Sequence, residues 1–369
     1  MKIGINLLSV KIGGGVSFAR NIIKNLSALD QNNEYILFVP AGERTRIITP
    51  DLKLNNIRVV ELFASNILLR LVQEQFVLPV IALMMRVKLL FCPANLISFL
   101  APCHKVLWIQ NIDPFVTIPG ETLKQRVRNK ILFWFGCLSM KWASFTIFSS
   151  KYSLDLVLGQ CQLDSKKTKV IFLGISEEFL ETQEAPREPF LLSVSNISKR
   201  KNYELLIRAF VEFKRLKAND YKLIIVGRVD DQYKQQLLSL ADTEAARQAI
   251  IFTGELSGPA LVDYYQRGAI FVLPSLVESF GLTTVEAMAA GLPVLAANAT
   301  CLPEIVGQAG LLFDPNDPPD LSKKIRLVLE QSSLREKLSR QSRARAQEFN
   351  WRKTAEQTLA IFKEIEQRD

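Results

Sequence analysis

Short uninterrupted apolar runs of strand length alternate with amphipathic segments along nearly all of this 369-residue sequence. That alternation is the pattern of parallel sheets flanked by helices. In the first half the strand-length runs are residues 2–8, 35–39, 57–62, 88–91, 105–109, 144–148 and 169–172, with helical spacing over 16–29 and 123–142. The stretch EEFLETQEAPREP is acidic, carries two prolines and lacks periodicity, so residues 179–189 read as a linker. Beyond it strands are expected at 190–195, 222–226, 250–252, 270–273, 294–297 and 311–313, with helices between them. The length also fits two domains rather than one. The expected architecture is therefore α/β: two doubly wound, Rossmann-like domains at 1–178 and 190–349, facing a central cleft. By pattern alone a last helix, about residues 350–369, could pack back on the first domain or stay with the second.

Residue usage removes many chemistries. His104 is the only histidine, so a multi-histidine zinc site or a two-histidine iron site cannot be built. No G-x-S-x-G elbow exists for a serine hydrolase. The five cysteines form no C-x-x-C pair and read as small buried residues in a reducing compartment, which makes cytoplasm the expected location. No signal peptide is expected, since only a short apolar run, 3–8, follows Met1-Lys2. No membrane span is expected either, since the apolar stretch 76–85 contains Pro79 and the stretch 131–148, broken by Lys141, reads as a helix followed by a strand. Charge is unevenly placed. Residues 1–178 hold 21 basic and 12 acidic side chains, whereas 179–369 hold 25 of each.

Two segments carry candidate chemistry. The first strand is followed by Gly13-Gly14-Gly15 and a helix, where backbone N–H groups can approach an anion. A purely structural tight turn fits as well, and the dinucleotide fingerprint is incomplete because Phe18 stands where its third glycine belongs. The segment PSLVESFGLTTVEAMAAGLPV is more specific. It places Glu278 in a loop at a strand's carboxyl end, Phe280-Gly281-Leu282 at a helix start, and Glu286 about one turn inside that helix. Carboxylates suit sugar and ribose hydroxyls, and helix N-terminal amides suit phosphate oxygens.

With SNISKRKNYELLIRAF, KLIIVGR, VEAMAAGLPVLAANATCLPEIVG and GLLFDPND around it, this half resembles the donor-binding half of a retaining glycosyltransferase of family four, which has the GT-B fold. The first half matches more weakly, through the glycine turn, IFSSKYS and VIFLGIS. The resemblance implies a donor site of Gly14, Gly15, Asn196, Lys201, Gly227, Leu256, Glu278, Ser279, Phe280, Gly281, Leu282 and Glu286. It assigns Lys201 to the donor diphosphate, Glu278 to the transferred sugar, Glu286 to the ribose and the loop at Gly254-Glu255-Leu256 to the base. Catalysis would rest on Glu278, Lys201, Asn111 and Asp113, with no metal and no cofactor beyond the substrate. Family members often carry arginine where Asn196 stands, and Lys199 or Arg200 could supply that cation.

The implied function is transfer of a sugar from a UDP- or GDP-sugar to a glycan or lipid-linked glycan acceptor, in polysaccharide, lipopolysaccharide or glycolipid synthesis. An NAD-dependent oxidoreductase and a non-catalytic sugar-nucleotide-binding protein are the alternatives. Other features of the first domain read two ways. Asn111 and Asp113, where relatives often carry a His-Asp pair, either touch sugar or simply build a turn with Pro114. Glu74 is a candidate for the acceptor side. The helix at 123–142 has apolar residues at 123, 127, 131, 134, 138 and 142, with Lys124, Arg126, Arg128 and Lys130 at its head. The favoured reading packs this stripe into the core; the other makes residues 123–142 a contact for an anionic membrane surface, placing the enzyme peripherally at the inner face. No nucleic-acid motif accompanies the basic charge.

Overall fold

A computed structural model describes residues 1–10, 14–47, 56–118, 120–180, 185–216 and 220–368. The chain divides into two compact units, one formed by Met1–Phe115, Thr122–Gly174 and Asn350–Asp369, the other by Val116–Glu121 and Ile175–Phe349. Each is built on one all-parallel sheet with intervening helices, the architecture expected from the alternation.

The first sheet contains β1 (Lys2–Asn6), β2 (Glu34–Pro40), β3 (Ile57–Leu62), β4 (Leu89–Cys92), β5 (His104–Ile109), β6 (Phe145–Phe148) and β7 (Thr168–Val170), in the order β3-β2-β1-β4-β5-β6-β7. Successive side chains point to opposite faces, so β1 sends Ile3 and Ile5 into one core while Gly4 faces the other. A Cβ on Gly4 would lie 2.9 Å from Leu90 Cδ1, so the second core closes directly on the backbone there. The first core is covered by the Gly14–Leu29 and Trp351–Glu366 helices. The second is covered in part by Leu78, Ala82, Phe115 and Met140.

The last helix therefore belongs to the first unit. Trp351 and Phe362 are buried, with ring centroids 5.6 Å from Phe18 and 5.5 Å from Phe91 respectively. Thr354 Oγ1 donates to the Phe172 carbonyl at 2.8 Å. Gly174, in the segment after β7, lets the start of this helix approach closely: a Cβ there would fall 2.1 Å from the Trp351 backbone nitrogen.

The second unit has β8 (Phe190–Val194), β9 (Lys222–Val226), β10 (Ile250–Gly254), β11 (Ile270–Leu273), β12 (Val294–Ala297) and β13 (Gly310–Phe313), in the order β10-β9-β8-β11-β12-β13. The described part of the stretch read as a linker is stitched into this unit. Phe179 is buried with its ring 5.5 Å from Tyr265, and the Arg187 guanidinium donates to the carbonyls of Gln266 at 2.6 Å and Ala290 at 2.9 Å. Residues 181–184 lie outside the described set.

Two further expectations are corrected. Cys137 and Cys161 are joined by a disulfide that ties the Leu123–Trp142 helix to the Lys151–Cys161 helix, leaving Cys92, Cys103 and Cys301 as free thiols. The apolar stripe of Leu123–Trp142 is not core: Leu123 is 78% and Trp134 66% exposed. The helix packs instead through Asn129, Gly136, Cys137, Ser139 and Met140, and a Cβ on Gly136 would lie 3.1 Å from Phe115 Cζ. Among the described residues one helical run, Ile67–Met84, is long and apolar enough to cross a membrane by length and composition. A π-helical turn at Gln73–Val77 precedes Pro79 within it, which spares the helix the clash of an interior proline.

Gly174→Ala should destabilise the first unit by about 1–3 kcal/mol, because the new methyl meets backbone rather than a yielding side-chain tip. The midpoint of urea unfolding reads this directly, and an unchanged midpoint would refute the close packing of the last helix.

Candidate functional site

In an open parallel sheet, ligands gather at the carboxyl ends of the strands where strand order reverses. In the second sheet that point lies between β8 and β11. The loop after β8 runs through Asn196 to a single turn at Lys199–Lys201, closed by Asn202 in the left-handed region (φ 55°). The Asn202 side-chain amide holds this closure by donating to the Pro315 carbonyl at 2.9 Å. The loop after β11 carries Pro274 through Gly281 and opens the Leu282–Ala289 helix.

These two loops are knitted together. The Leu276 amide donates to the Arg200 carbonyl at 2.9 Å, and the Arg200 guanidinium to the Val277 carbonyl at 3.4 Å. Their functional side chains meet: the Lys201 ammonium is bonded directly to the Glu278 carboxylate, and both are largely buried. Removing an ammonium from water is costly unless a counter-charge is bonded to it, so each group fixes the other's position. Behind Lys201, Tyr203 is fully buried, shares a 2.8 Å hydrogen bond with Ser195 Oγ, and has its phenol pushed up to about 12, chiefly by burial. Glu278 is tethered through its backbone. Its amide donates to Thr300 Oγ1 at 3.1 Å and its carbonyl accepts from the Cys301 thiol at 3.2 Å. Thr300 holds a positive φ of 48°, a strained conformation for a β-branched residue.

Gly281 is demanded by geometry: φ is +81° and a Cβ would lie 2.8 Å from Leu302 Cδ2. No side chain caps the helix that follows, so its first amides and positive dipole end face outward from the loop. Phe280 is buried edge-on to Phe349, with centroids 5.6 Å apart, while Ser279 and Leu282 are half-buried. One turn in, Glu286 Oε2 accepts from the buried Tyr265 hydroxyl at 2.8 Å. Burial pushes the Glu286 carboxyl up to about 7; the Tyr265 hydrogen bond pulls it down and the Glu178 charge pushes it up further.

The remaining donor-side candidates occupy the same end of this sheet. Gly227 has φ +147°, and a Cβ there would fall 1.8 Å from the Ser195 carbonyl oxygen, so no other residue fits. Its amide donates to the Gly254 carbonyl at 2.8 Å, which draws the loop bearing the half-buried Leu256 alongside. Asn196 is exposed. The Arg228 carbonyl accepts from the Ile197 amide at 2.9 Å, which sets an exposed cation next to Asn196 that sequence reasoning did not single out. Tyr265 and Thr300 were also missed. Only their partners carried a motif, and nothing in a tyrosine or threonine by itself marks it as a support.

In the first unit, Gly14 and Gly15 begin the first helix, with room for a Cβ at both, and Gly13 lies outside the described residues. Asn111 exchanges backbone hydrogen bonds with the Asn95 side chain, and its own Oδ1 accepts from the Asp113 amide at 2.9 Å. The Asn111 side chain thus builds the turn that presents Asp113. Glu74 is buried, its carboxyl raised by burial and lowered by Arg70 and Asn6. Among the described residues no three His, Cys, Asp or Glu side chains cluster closely enough to hold a metal ion.

The fold is that of the two-domain GT-B glycosyltransferases. HepE from Anabaena, solved with UDP and glucose, aligns over 99% of this chain and 100% of its own at TM-score 0.76 and 20% identity. Residues 175–345 match the family "Glycosyl transferases group 1", and the chain belongs to this group through that domain. The serotype-specific mannosyltransferase WbdA of Escherichia coli is 32% identical over 273 residues, covering 70% of this chain and 32% of its own length. The sulfoquinovosyl transferase SQD2 of Arabidopsis thaliana is 34% identical over 172 residues, 45% of this chain and 32% of its own. The chain thus spans about a third of the length of these relatives. The family match sets the oxidoreductase alternative aside.

Glu286 provides a titration test. The folded protein binds its proton more tightly than the unfolded chain, so its contribution to stability is present below about pH 4.5 and is lost as pH rises through about 7. Across that window the unfolding free energy of wild type should fall relative to that of Glu286→Gln, as measured by urea titration at several pH values. Parallel profiles would refute the raised carboxyl.

Proposed function

We propose that this chain is a retaining glycosyltransferase that moves a hexose from a UDP- or GDP-sugar to a glycan or lipid-linked glycan acceptor, without a metal ion. The observation that carries the reading is the Lys201–Glu278 pair beside the uncapped Leu282–Ala289 helix, at the strand-order reversal of the group 1 domain. A nucleoside diphosphate leaving group gathers negative charge as the glycosidic bond breaks. A fixed ammonium and preorganised amides stabilise that charge without reorganising. Lys201 binds the diphosphate, the amides at Phe280–Leu282 take its oxygens, and Glu278 accepts from hydroxyls of the transferred sugar. Glu286, aimed by Tyr265, receives the ribose hydroxyls, while Gly227 and the Leu256 loop leave space for the base. Gly14 and Gly15 open the first helix of the first unit, where their amides can approach an anion.

Substitution on the same face, with the departing phosphate helping to deprotonate the acceptor hydroxyl, suits a site whose two motif carboxylates are both committed to hydroxyl recognition. Asn111 fixes the turn that carries Asp113, whose carboxylate can accept from a sugar hydroxyl. The relatives that are mannosyltransferases, together with the UDP and glucose bound by HepE, support a hexose donor. The acceptor is met at the cytoplasmic face of an anionic membrane, through residues 123–142, in cell-surface polysaccharide, lipopolysaccharide or glycolipid synthesis.

A panel of UDP- and GDP-hexoses, with product anomeric configuration read by NMR, tests the reaction; no hydrolysis or transfer of any donor would favour a non-catalytic binding protein. Lys201→Ala should weaken nucleoside diphosphate binding by about tenfold or more in calorimetry, since a charge-assisted bond of roughly 1.5–3 kcal/mol is lost. Unchanged affinity would refute the site. Excess chelator should leave turnover intact, and strict Mg²⁺ or Mn²⁺ dependence would overturn the leaving-group chemistry proposed here.

A further inference from the structure

Among the described residues eighteen large apolar side chains are conspicuously exposed, and sixteen of them lie in two stretches of the first unit, residues 63–100 and 123–142. Soluble surfaces rarely gather apolar side chains this way unless something covers them. The two stretches form one surface. The loop between β4 and β5 is clamped between them: Gln75 bonds the Ile97 carbonyl and the Phe99 amide, both at 2.9 Å, and the Phe99 ring lies 6.1 Å from Trp142. Ser139 Oγ accepts from the Ile97 amide at 3.4 Å from the other side.

The Ile67–Met84 run has an inward and an outward face. Glu74, Leu78, Pro79 and Ala82 are buried, at roughly helical spacing, while Ile67, Phe76, Leu83 and Met84 are between 61% and 77% exposed. Crossing a bilayer would require Glu74 to leave its buried place and the Gln75 bonds to break, so the run lies flat. Beside it, Phe76, Pro79, Val80, Leu83, Leu100 and Pro102 line an open apolar groove of about 420 Å³. That volume is within the range of roughly 300–1,000 Å³ typical of small-molecule sites.

Charge names the occupant. Between residues 62 and 154 there are ten Lys and Arg against three Asp and Glu, one of which is the buried Glu74. A second copy of this surface would meet its own charge, whereas anionic headgroups complement it. We propose that the outward face of Ile67–Met84 inserts with that of Leu123–Trp142 into an anionic lipid leaflet, and that the groove between Phe76 and Pro102 seats one of its hydrocarbon chains. This rests on the membrane part of the proposed function and adds a second inserting element and a lipid-chain site.

Tryptophan fluorescence of the full chain on phosphatidylglycerol–phosphatidylcholine vesicles with brominated acyl chains tests it. Trp134 and Trp142 are exposed and Trp108 and Trp351 buried, so quenching reports insertion of 123–142. In a Trp134→Phe/Trp142→Phe background, Leu100→Trp places a reporter on the groove wall, and mid-chain bromines should quench it. Phe76→Ser/Leu83→Ser/Met84→Ser should weaken vesicle binding by about tenfold or more while donor hydrolysis and thermal midpoint stay unchanged. High salt should weaken binding but not abolish quenching. Three results would each overturn the proposal: an unquenched Leu100→Trp reporter, vesicle binding indifferent to the triple substitution, or a concentration-dependent dimer that the triple substitution dissolves. Donor hydrolysis without vesicle binding would leave the glycosyltransferase reading standing and remove this one.

Discussion

A parallel sheet must be covered on both faces, because its connections cross over and its strands carry apolar side chains in both directions. In the first unit this demand governs almost everything else. The face of Ile3, Ile5 and Phe91 is closed by the opening helix together with the chain's last helix, and Phe18, Trp108 and Trp351 interlock there edge to face. The opposite face is closed by shorter pieces, including Leu78 and Ala82 from one helical run and Met140 from another. Those pieces enter this core through few and mostly small residues, such as Ala82 and Cys137, while most of their bulky side chains stay exposed.

The same rule in the second unit produces the site. Helices on both faces force strand order to reverse between β8 and β11, and the loops leaving those two strands are then neighbours. Lys201 and Glu278, separated by 77 positions in sequence, are bonded because their strands are adjacent. What holds them is mostly backbone: the carbonyls of Arg200 and Val277, the Thr300 hydroxyl and the positive φ of Gly281.

Much of this was legible in the residues. Strand-length apolar runs located both sheets, and the spacing of Glu278, Gly281 and Glu286 located the loop and helix. The misreadings share one cause. Periodicity reports that a helix has an apolar stripe but not whether the fold has room for it, so the stripe of 123–142 was assigned to a core that Gly136, Ser139 and Met140 already fill. Pro79 obscured the Ile67–Met84 run, since a π-helical turn that accommodates a proline leaves no sequence mark. Cys137 and Cys161 have no motif spacing because their pairing depends on two helices lying side by side. The acidic linker was read from composition, whereas Phe179 and Arg187 find partners in Tyr265, Gln266 and Ala290 that composition does not disclose.

The return of the last helix has a consequence during synthesis. Its residues, Trp351 to Glu366, complete the first core, yet the ribosome makes them after the whole of the second unit. Chains elongate at roughly 5–20 residues per second and domains tend to fold as units when they emerge. The later-made unit can therefore reach its native state while the earlier-made one waits, with Phe18, Phe91 and Trp108 still lacking their cover. For an interval of roughly ten to thirty-five seconds the nascent chain exposes the apolar face of an unfinished sheet, which makes its early half the natural client for a chaperone.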